Sequence, residues 1–487
     1  MRHIIKSFEQ RIPFGWIVLA SLLLGPPSAR GDDKEKSEKE EVVKWIRKVG
    51  GTCRFVEMAA FASYTVNLDK AKINDDDLKK LAKLKVVDFL LLNNPAITDE
   101  GMKHIGALES LEILYLRNTK VTDLGLKELG RLQALTDLFL DDTQISDAGL
   151  EALANPRLEY LSLSGTQVTG AGLKNLRALR TVHLSSSKAT DRGLEGLRGL
   201  NDLRSVSLSD TLVTDKGLKE LLPLANLVGL SVARCPITDA GMKNIGKHQA
   251  LHGLDIAGCQ VTDEGLKEIA WCKSMMSLDL ARTQATDLGL SQLAGMDVLE
   301  NLDLTGLPIT DAGVKELTKL KRLRNLSLEE TKITDAGLKL LVDSGNLAGV
   351  YKLNLTSTAV SGKGLRDLPK WRRGTIDLNL ASTRVKDEDL AILSGILFGN
   401  LNLAKCDIGD GGVKKFLSDV RYLSGLDVSS TNVTDETVHH IAALIKSSPL
   451  HPLRKLTRLN LKETRVSVEA AKALRSKLDP RLYVIER

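Results

Sequence analysis

A single pattern of apolar and polar positions returns along most of the chain. It reads Leu-x-x-Leu-x-Leu-x-x-Thr-x-Val/Ile-Thr-Asp-x-Gly-Leu-Lys, at a period near 24 residues. The Thr-Asp slot stands at Thr98-Asp99, Thr122-Asp123, Thr214-Asp215, Thr286-Asp287 and Thr434-Asp435, among others. It degenerates at Thr169-Gly170, Ser361-Gly362 and Ser467-Val468. About 17 units fit between residues 63 and 478. One such unit cannot bury its own apolar face, so neighbours must stack into one long core.

Each unit divides into two periodicities. In Leu111-Glu112-Ile113-Leu114-Tyr115-Leu116, Leu114 and Leu116 alternate with Ile113 and Tyr115, which predicts a strand. Asp123-Leu124-Gly125-Leu126-Lys127-Glu128-Leu129 then carries apolar residues at helical spacing. Thr122 is placed as its N-cap, and Asp123 sits where the helix dipole favours an anion. Acid precedes base by four residues at Asp123/Lys127, Asp215/Lys219, Asp263/Lys267, Asp311/Lys315 and Asp335/Lys339. Such pairs contribute about 0.2–0.5 kcal/mol each, so the lysine column reads as a solvated outer face, with acidic partners as the alternative. The repeated glycine (Gly101, Gly125, Gly149, Gly172) costs helix propensity and reads as a place where adjacent units leave no room for a Cβ.

On these residues the chain resembles the leucine-rich-repeat superfamily, and its Thr-Asp-x-Gly-Leu helix start resembles the cysteine-containing subtype. The resemblance implies an α/β solenoid, or horseshoe, with a parallel concave sheet and convex helices. In that subtype a Cys or Asn after the strand points inward to satisfy turn backbone. Here the slot holds Thr119, Thr143, Thr166, Thr211, Thr283, Thr331, Thr358, Thr383, Thr431 and Thr464, with Cys235, Cys259 and Cys406 in three units. The threonine hydroxyl is expected to take over the buried role. In this respect the chain resembles exported bacterial members more than cytosolic adaptors.

The N-terminal residues predict a destination. Arg2, Lys6 and Arg11 precede an apolar run over residues 14–24, then Pro26-Pro27-Ser28-Ala29. A basic stretch, a short apolar stretch and small residues match a secretory signal over residues 1–31. The run is short for a membrane span, with an uncleaved anchor as the alternative. Residues 32–41 are densely charged and predict a flexible leader. Residues 42–62 predict a helical N-terminal cap, 63–478 the solenoid, and 479–487 a capping strand. The expected location is periplasmic or secreted, with no stable membrane span after cleavage.

Composition narrows the function further. The formal charge is +6 over 487 residues and falls to +3 without residues 1–31, which gives no electrostatic footprint for nucleic acid. Five cysteines in so long a chain do not form a disulfide framework, and pairing of Cys235 with Cys259 stays open. No nucleophile–base spacing, metal-ligand set or phosphate loop emerges. His248 and His252 straddle a junction, and Asp410-Gly411-Gly412 lacks a following Gly-Lys-Ser/Thr. The expectation is a protein that is not an enzyme, with no catalytic residues, metal or cofactor.

The concave sheet is the informative surface, and two features stand out on it. Phe89, Leu91, Ile113, Tyr115, Phe139 and Tyr160 fall on four consecutive rungs, in a chain only 4% aromatic. They read as a partner-binding patch, as a face covered by the N-terminal segment, or as chance. Asp255, Asp279 and Asp303 are expected to stack on successive rungs. Their mutual repulsion would be relieved by a partner's cation, by solvent, or by Arg234 and Arg282. The favoured function is extracytoplasmic recognition of a protein or peptide. A glycan or cell-wall ligand is the alternative, and a protein-turnover adaptor comes third.

Overall fold

The computed structural model describes residues 33–58, 61–153, 155–366, 368, 374–447, 451–477 and 483–485. The expected signal segment lies outside them. The chain forms two compact units, residues 1–255 and 256–487.

The first unit opens with a helix, Asp33–Lys48. This corrects the expectation of a flexible leader over 32–41. The dense charge is alternating rather than of one sign, and Lys39 pairs with Glu35 one turn away. Val42 and Ile46 give the helix a buried stripe. A hairpin follows, β1 (Thr52–Met58) antiparallel to β2 (Phe61–Asn67), so the cap is not purely helical. From β2 a parallel ladder runs through β3 (Val87–Leu91), β4 (Ile113–Tyr115), β5 (Asp137–Phe139), β6 (Tyr160–Ser162), β7 (Thr181–His183), β8 (Ser205–Ser207), β9 (Gly229–Ser231) and β10 (Gly253–Asp255).

The second unit repeats the plan. Its parallel ladder runs through β11 (Ser277–Asp279), β12 (Asn301–Asp303), β13 (Asn325–Ser327), β14 (Lys352–Asn354), β15 (Ile376–Asn379), β16 (Leu397–Asn402), β17 (Tyr422–Asp427), β18 (Arg458–Asn460) and β19 (Tyr483–Ile485). Helix Val468–Lys477 precedes the last strand.

Within each unit the middle strand residue points into the core. Leu90, Leu114, Leu138, Leu161 and Val182 form one buried row, and Leu302, Leu326, Leu353, Leu378 and Leu401 form another. Burying each such side chain contributes about 1.5–3 kcal/mol, and rung-on-rung register makes the row continuous. The inward threonines act as expected: Thr119, Thr143 and Thr331 are buried and donate to the carbonyls of Leu116, Leu140 and Leu328. Cys235 reaches further, donating to the Leu208 carbonyl at 3.0 Å. Cys235 and Cys259 are both buried and are not joined in a disulfide. The turn residue before each threonine is left-handed (Asn118, Asp142 and Arg282 have φ near +57°), a requirement the sequence pattern did not disclose.

The helix-start aspartates do more than complement a dipole. Asp99 accepts the Thr122 N–H and hydroxyl, both at 2.7 Å, from the following rung. Asp123 accepts from Ser146 in the same way, as do Asp287 from Thr310 and Asp335 from Ser361. Thr122 in turn caps its own helix through the Leu124 N–H. In two of the expected Asp/Lys pairs the lysine turns to another acid: Lys267 pairs with Glu264, and Lys339 with Asp343. The same carboxylate explains the glycine. A Cβ at Gly125 would stand 2.4 Å from Asp99 Oδ1.

Some rungs of the first unit carry a 3-10 turn in place of an α-helix. At Thr169-Gly170 the capping side chain is missing and residues Ala171–Asn175 form a 3-10 turn. Gly217–Leu221 is also 3-10, and Pro223 just beyond it cannot donate to continue a helix.

Candidate functional site

The open face of the first unit's sheet carries an unbroken row of rings. Phe89, Tyr115, Phe139, Tyr160 and His183 follow one another over β3 to β7. Ring centroids lie 5.6, 3.9, 4.8 and 5.3 Å apart in that order, and Tyr115 stacks on Phe139 at 5°. Parallel register sets Tyr115 beside Phe139, while Phe89 and Tyr160 stand in the neighbouring column, in register with Ile113 and Asp137, and meet those rings diagonally. Flat rings at one strand spacing are close to van der Waals contact, so each one orders the next.

All six residues expected in the aromatic patch lie on this face. Phe89, Leu91, Ile113, Tyr115 and Tyr160 are half-buried. Phe139 departs from the expectation of a solvent-facing ring. It is only 5% exposed, because Tyr115 stacks on it and the Arg117 guanidinium lies 4.8 Å from its centroid. It supports the rail more than it presents itself. Among the described residues the N-terminal cap does not cover the rail: β1 and β2 extend the sheet edgewise, with Thr65 beside Phe89. The preceding helix is tied to the helix layer, through Glu35–Lys85 and through Lys80 over the Trp45 ring.

The rail has two unlike flanks. On the side where the strands end, Arg117 Nε lies 2.7 Å from Asp141 Oδ2, and Ser162 donates to the other Asp141 oxygen. Arg117 is also 5.6 Å from the Tyr115 centroid, a cation–π distance. Burial holds the His183 imidazole below its usual value, Asp141 opposing the shift and Arg117 adding to it. On the side where the strands begin lie Asp88, Glu112, Asp137 and Glu159. Burial raises the Glu112 carboxyl, Asp88 and Asp137 push it further, and Arg157 opposes. Burial also raises Asp137, with Glu159 adding to the shift and the Thr136 hydroxyl opposing it. The sequence reading missed this edge, although an acid directly before an apolar or aromatic residue in Asp88-Phe89, Glu112-Ile113 and Glu159-Tyr160 was there to be read.

The expected aspartate column behaves differently. Asp255 is buried in the first unit and accepts the Ser231 hydroxyl. In the second unit Asp279 pairs in register with Asp303. One oxygen of each accepts the chain's own N–H two residues on, from Ala281 and Thr305, and Asp303 also takes the Thr305 hydroxyl. Asn354, Asn379, Asn402, Asp427 and Asn460 repeat this local turn bond. Arg234 and Arg282 are engaged with Asp210 and Glu330.

Comparison with known proteins agrees with the architecture. A family model described as a leucine-rich repeat matches residues 132–154, 248–270 and 400–417. A leucine-rich-repeat protein of Leptospira interrogans superposes with a TM-score of 0.51 at 18% identity, over 85% of this chain and 99% of that one. An internalin of Listeria monocytogenes gives a TM-score of 0.44 at 24% identity, over 66% of this chain and 82% of that one. No curated protein matches. The fold is the α/β solenoid of leucine-rich-repeat structures, and three stretches of the chain match the leucine-rich-repeat model.

Proposed function

We propose that the chain is a non-catalytic recognition scaffold that binds a protein or peptide on the open sheet face of its first unit, outside the cytoplasm. The observation that carries this is the ring row from Phe89 to His183, which the described residues of the cap extend edgewise rather than cover. Tyr and Phe bury much area at small rotamer cost, which suits contact hot spots. Export rests on the basic and apolar pattern of residues 1–31. Asp279 and Asp303 supply at most polar contacts at the margin, since each already caps its own turn.

The test is crosslinking capture from envelope extract by the wild-type chain and by Tyr115→Ala/Tyr160→Ala, with thermal melting as a fold control. A captured protein lost in the double variant is expected. Capture that is equal in both variants, or glycan-array binding with no protein captured, overturns the assignment.

A further inference from the structure

We infer that the rail's partner is an extended peptide segment carrying an arginine, with the guanidinium set between the rings and the carboxylates of Glu112 and Asp137. The inference rests on the recognition role proposed above and names its chemistry.

The rail already shows how it holds a guanidinium. On one flank Arg117 lies over Phe139 and Tyr115 and ion-pairs with Asp141. The other flank offers the same ingredients in another order. Asp137 stands in one column between Ile113 and Tyr160, and Glu112 immediately precedes Ile113. The charges there are lopsided. Asp88, Glu112, Asp137 and Glu159 crowd four successive rungs, while the cations acting on them are Arg157 near Glu112 and Arg180, 3.3 Å from Glu159. Asp137 stands on the rung between Glu112 and Glu159, where it accepts the Thr136 hydroxyl and meets the like charge of Glu159.

An incoming guanidinium answers both halves of this surface. Its plane stacks on ring faces, and its fork of N–H donors matches carboxylates, whereas an ammonium does only the second well. An extended backbone suits a flat row one strand spacing per ring, with neighbouring apolar side chains against Phe89, Leu91 and Tyr160. Charge complementarity thus favours a basic segment over a neutral or acidic one.

The experiment is selection of a displayed random-peptide library on the full chain, counter-selected on Tyr115→Ala/Tyr160→Ala. Rail-dependent enrichment of peptides with arginine beside apolar residues is expected. An enriched peptide should bind Glu112→Gln/Asp137→Asn at least ten-fold more weakly. It should also weaken when its arginine becomes lysine, and weaken with salt. Melting of the carboxylate variant should be unchanged or higher, which separates lost recognition from lost fold. Rail-dependent peptides that are neutral or acidic, or affinity untouched by Glu112→Gln/Asp137→Asn, overturn the inference and leave the recognition role standing. Absence of any rail-dependent peptide overturns both.

Discussion

The third strand position is filled with rings in one region and with amides and acids in another, and the two solve the same problem differently. From β3 to β7 it holds Leu91, Tyr115, Phe139, Ser162 and His183; from β14 to β18 it holds Asn354, Asn379, Asn402, Asp427 and Asn460. The amide region is self-sufficient, because each side chain accepts the N–H two residues on and closes its own turn. Where Tyr115 stands, no such side-chain acceptor is possible, and Asn93 of the preceding rung accepts the Arg117 N–H instead; at the Ser162 rung, Asp141 takes the Ser164 N–H in the same way. Polar residues on a binding face can therefore be structural, while rings that give up a local hydrogen bond ask for a different explanation.

The sharpest way to break this comparison is to remove the core beneath each face. Leu138→Ala under the rail and Leu353→Ala under the amides should each cost about 2–5 kcal/mol. In a stacked chain the loss should centre on the altered rung and its neighbours, seen by hydrogen exchange. Uniform loss of protection across both units after either change would sink the rung-by-rung description. On the faces themselves the regions should part company. Phe139→Ala removes a buried, stacked ring and should cost about 3 kcal/mol. Asn379→Ala removes one turn bond to Ala381 and should cost about 1 kcal/mol. Equal costs in denaturant unfolding would show that the ring row is not a packed unit.

How much of this was legible in the sequence follows from what kind of contact each feature makes. The strand alternation, the Thr122 cap and the inward Thr119 depend on residues a few positions apart, and the repeat prints them many times. The glycine could be read as a close approach because a residue that lowers helix propensity stands at the Gly125 position in most copies. What it approaches was not legible: Asp99 lies 26 residues away, and its bond to Thr122 exists only once rungs are stacked. The same holds for Phe139, whose exposure is settled by Tyr115 one rung before and by Arg117 two residues past it. The first half of the helix Asp33–Lys48, before residue 42, was missed for a different reason, since charge density was weighed without its alternating sign. The aspartate column was recognised as a column, but its local turn bonds outrank the repulsion used to interpret it.

The smallest expected effect concerns acid. Burial alone would raise the Asp410 carboxyl, but the hydroxyls of Thr437 and Thr434 and their backbone N–H groups hold it below the usual carboxylate range. Its folded value lies under its unfolded one (about 3.9). Its contribution is therefore complete above the unfolded value and is lost as pH falls through the folded value. Glu112 and Asp137 are raised, first by burial and then by like charge, so the sign reverses. Their ionised forms burden the fold above their folded values, and that burden fades as pH falls toward the unfolded values. Hydrogen exchange corrected for intrinsic rates should show β4 and β5 holding or gaining protection between pH 7 and about pH 4.5, where Asp410 is still ionised. The helix Asp410–Asp419 should weaken only at more acid pH. The gain at β4 and β5 should vanish in Asp137→Asn, whose amide is neutral throughout. If β4 and β5 instead lose protection ahead of the Asp410 helix, the acidic edge is stabilising the rail, and the contrast between a strained face and a self-satisfied one fails.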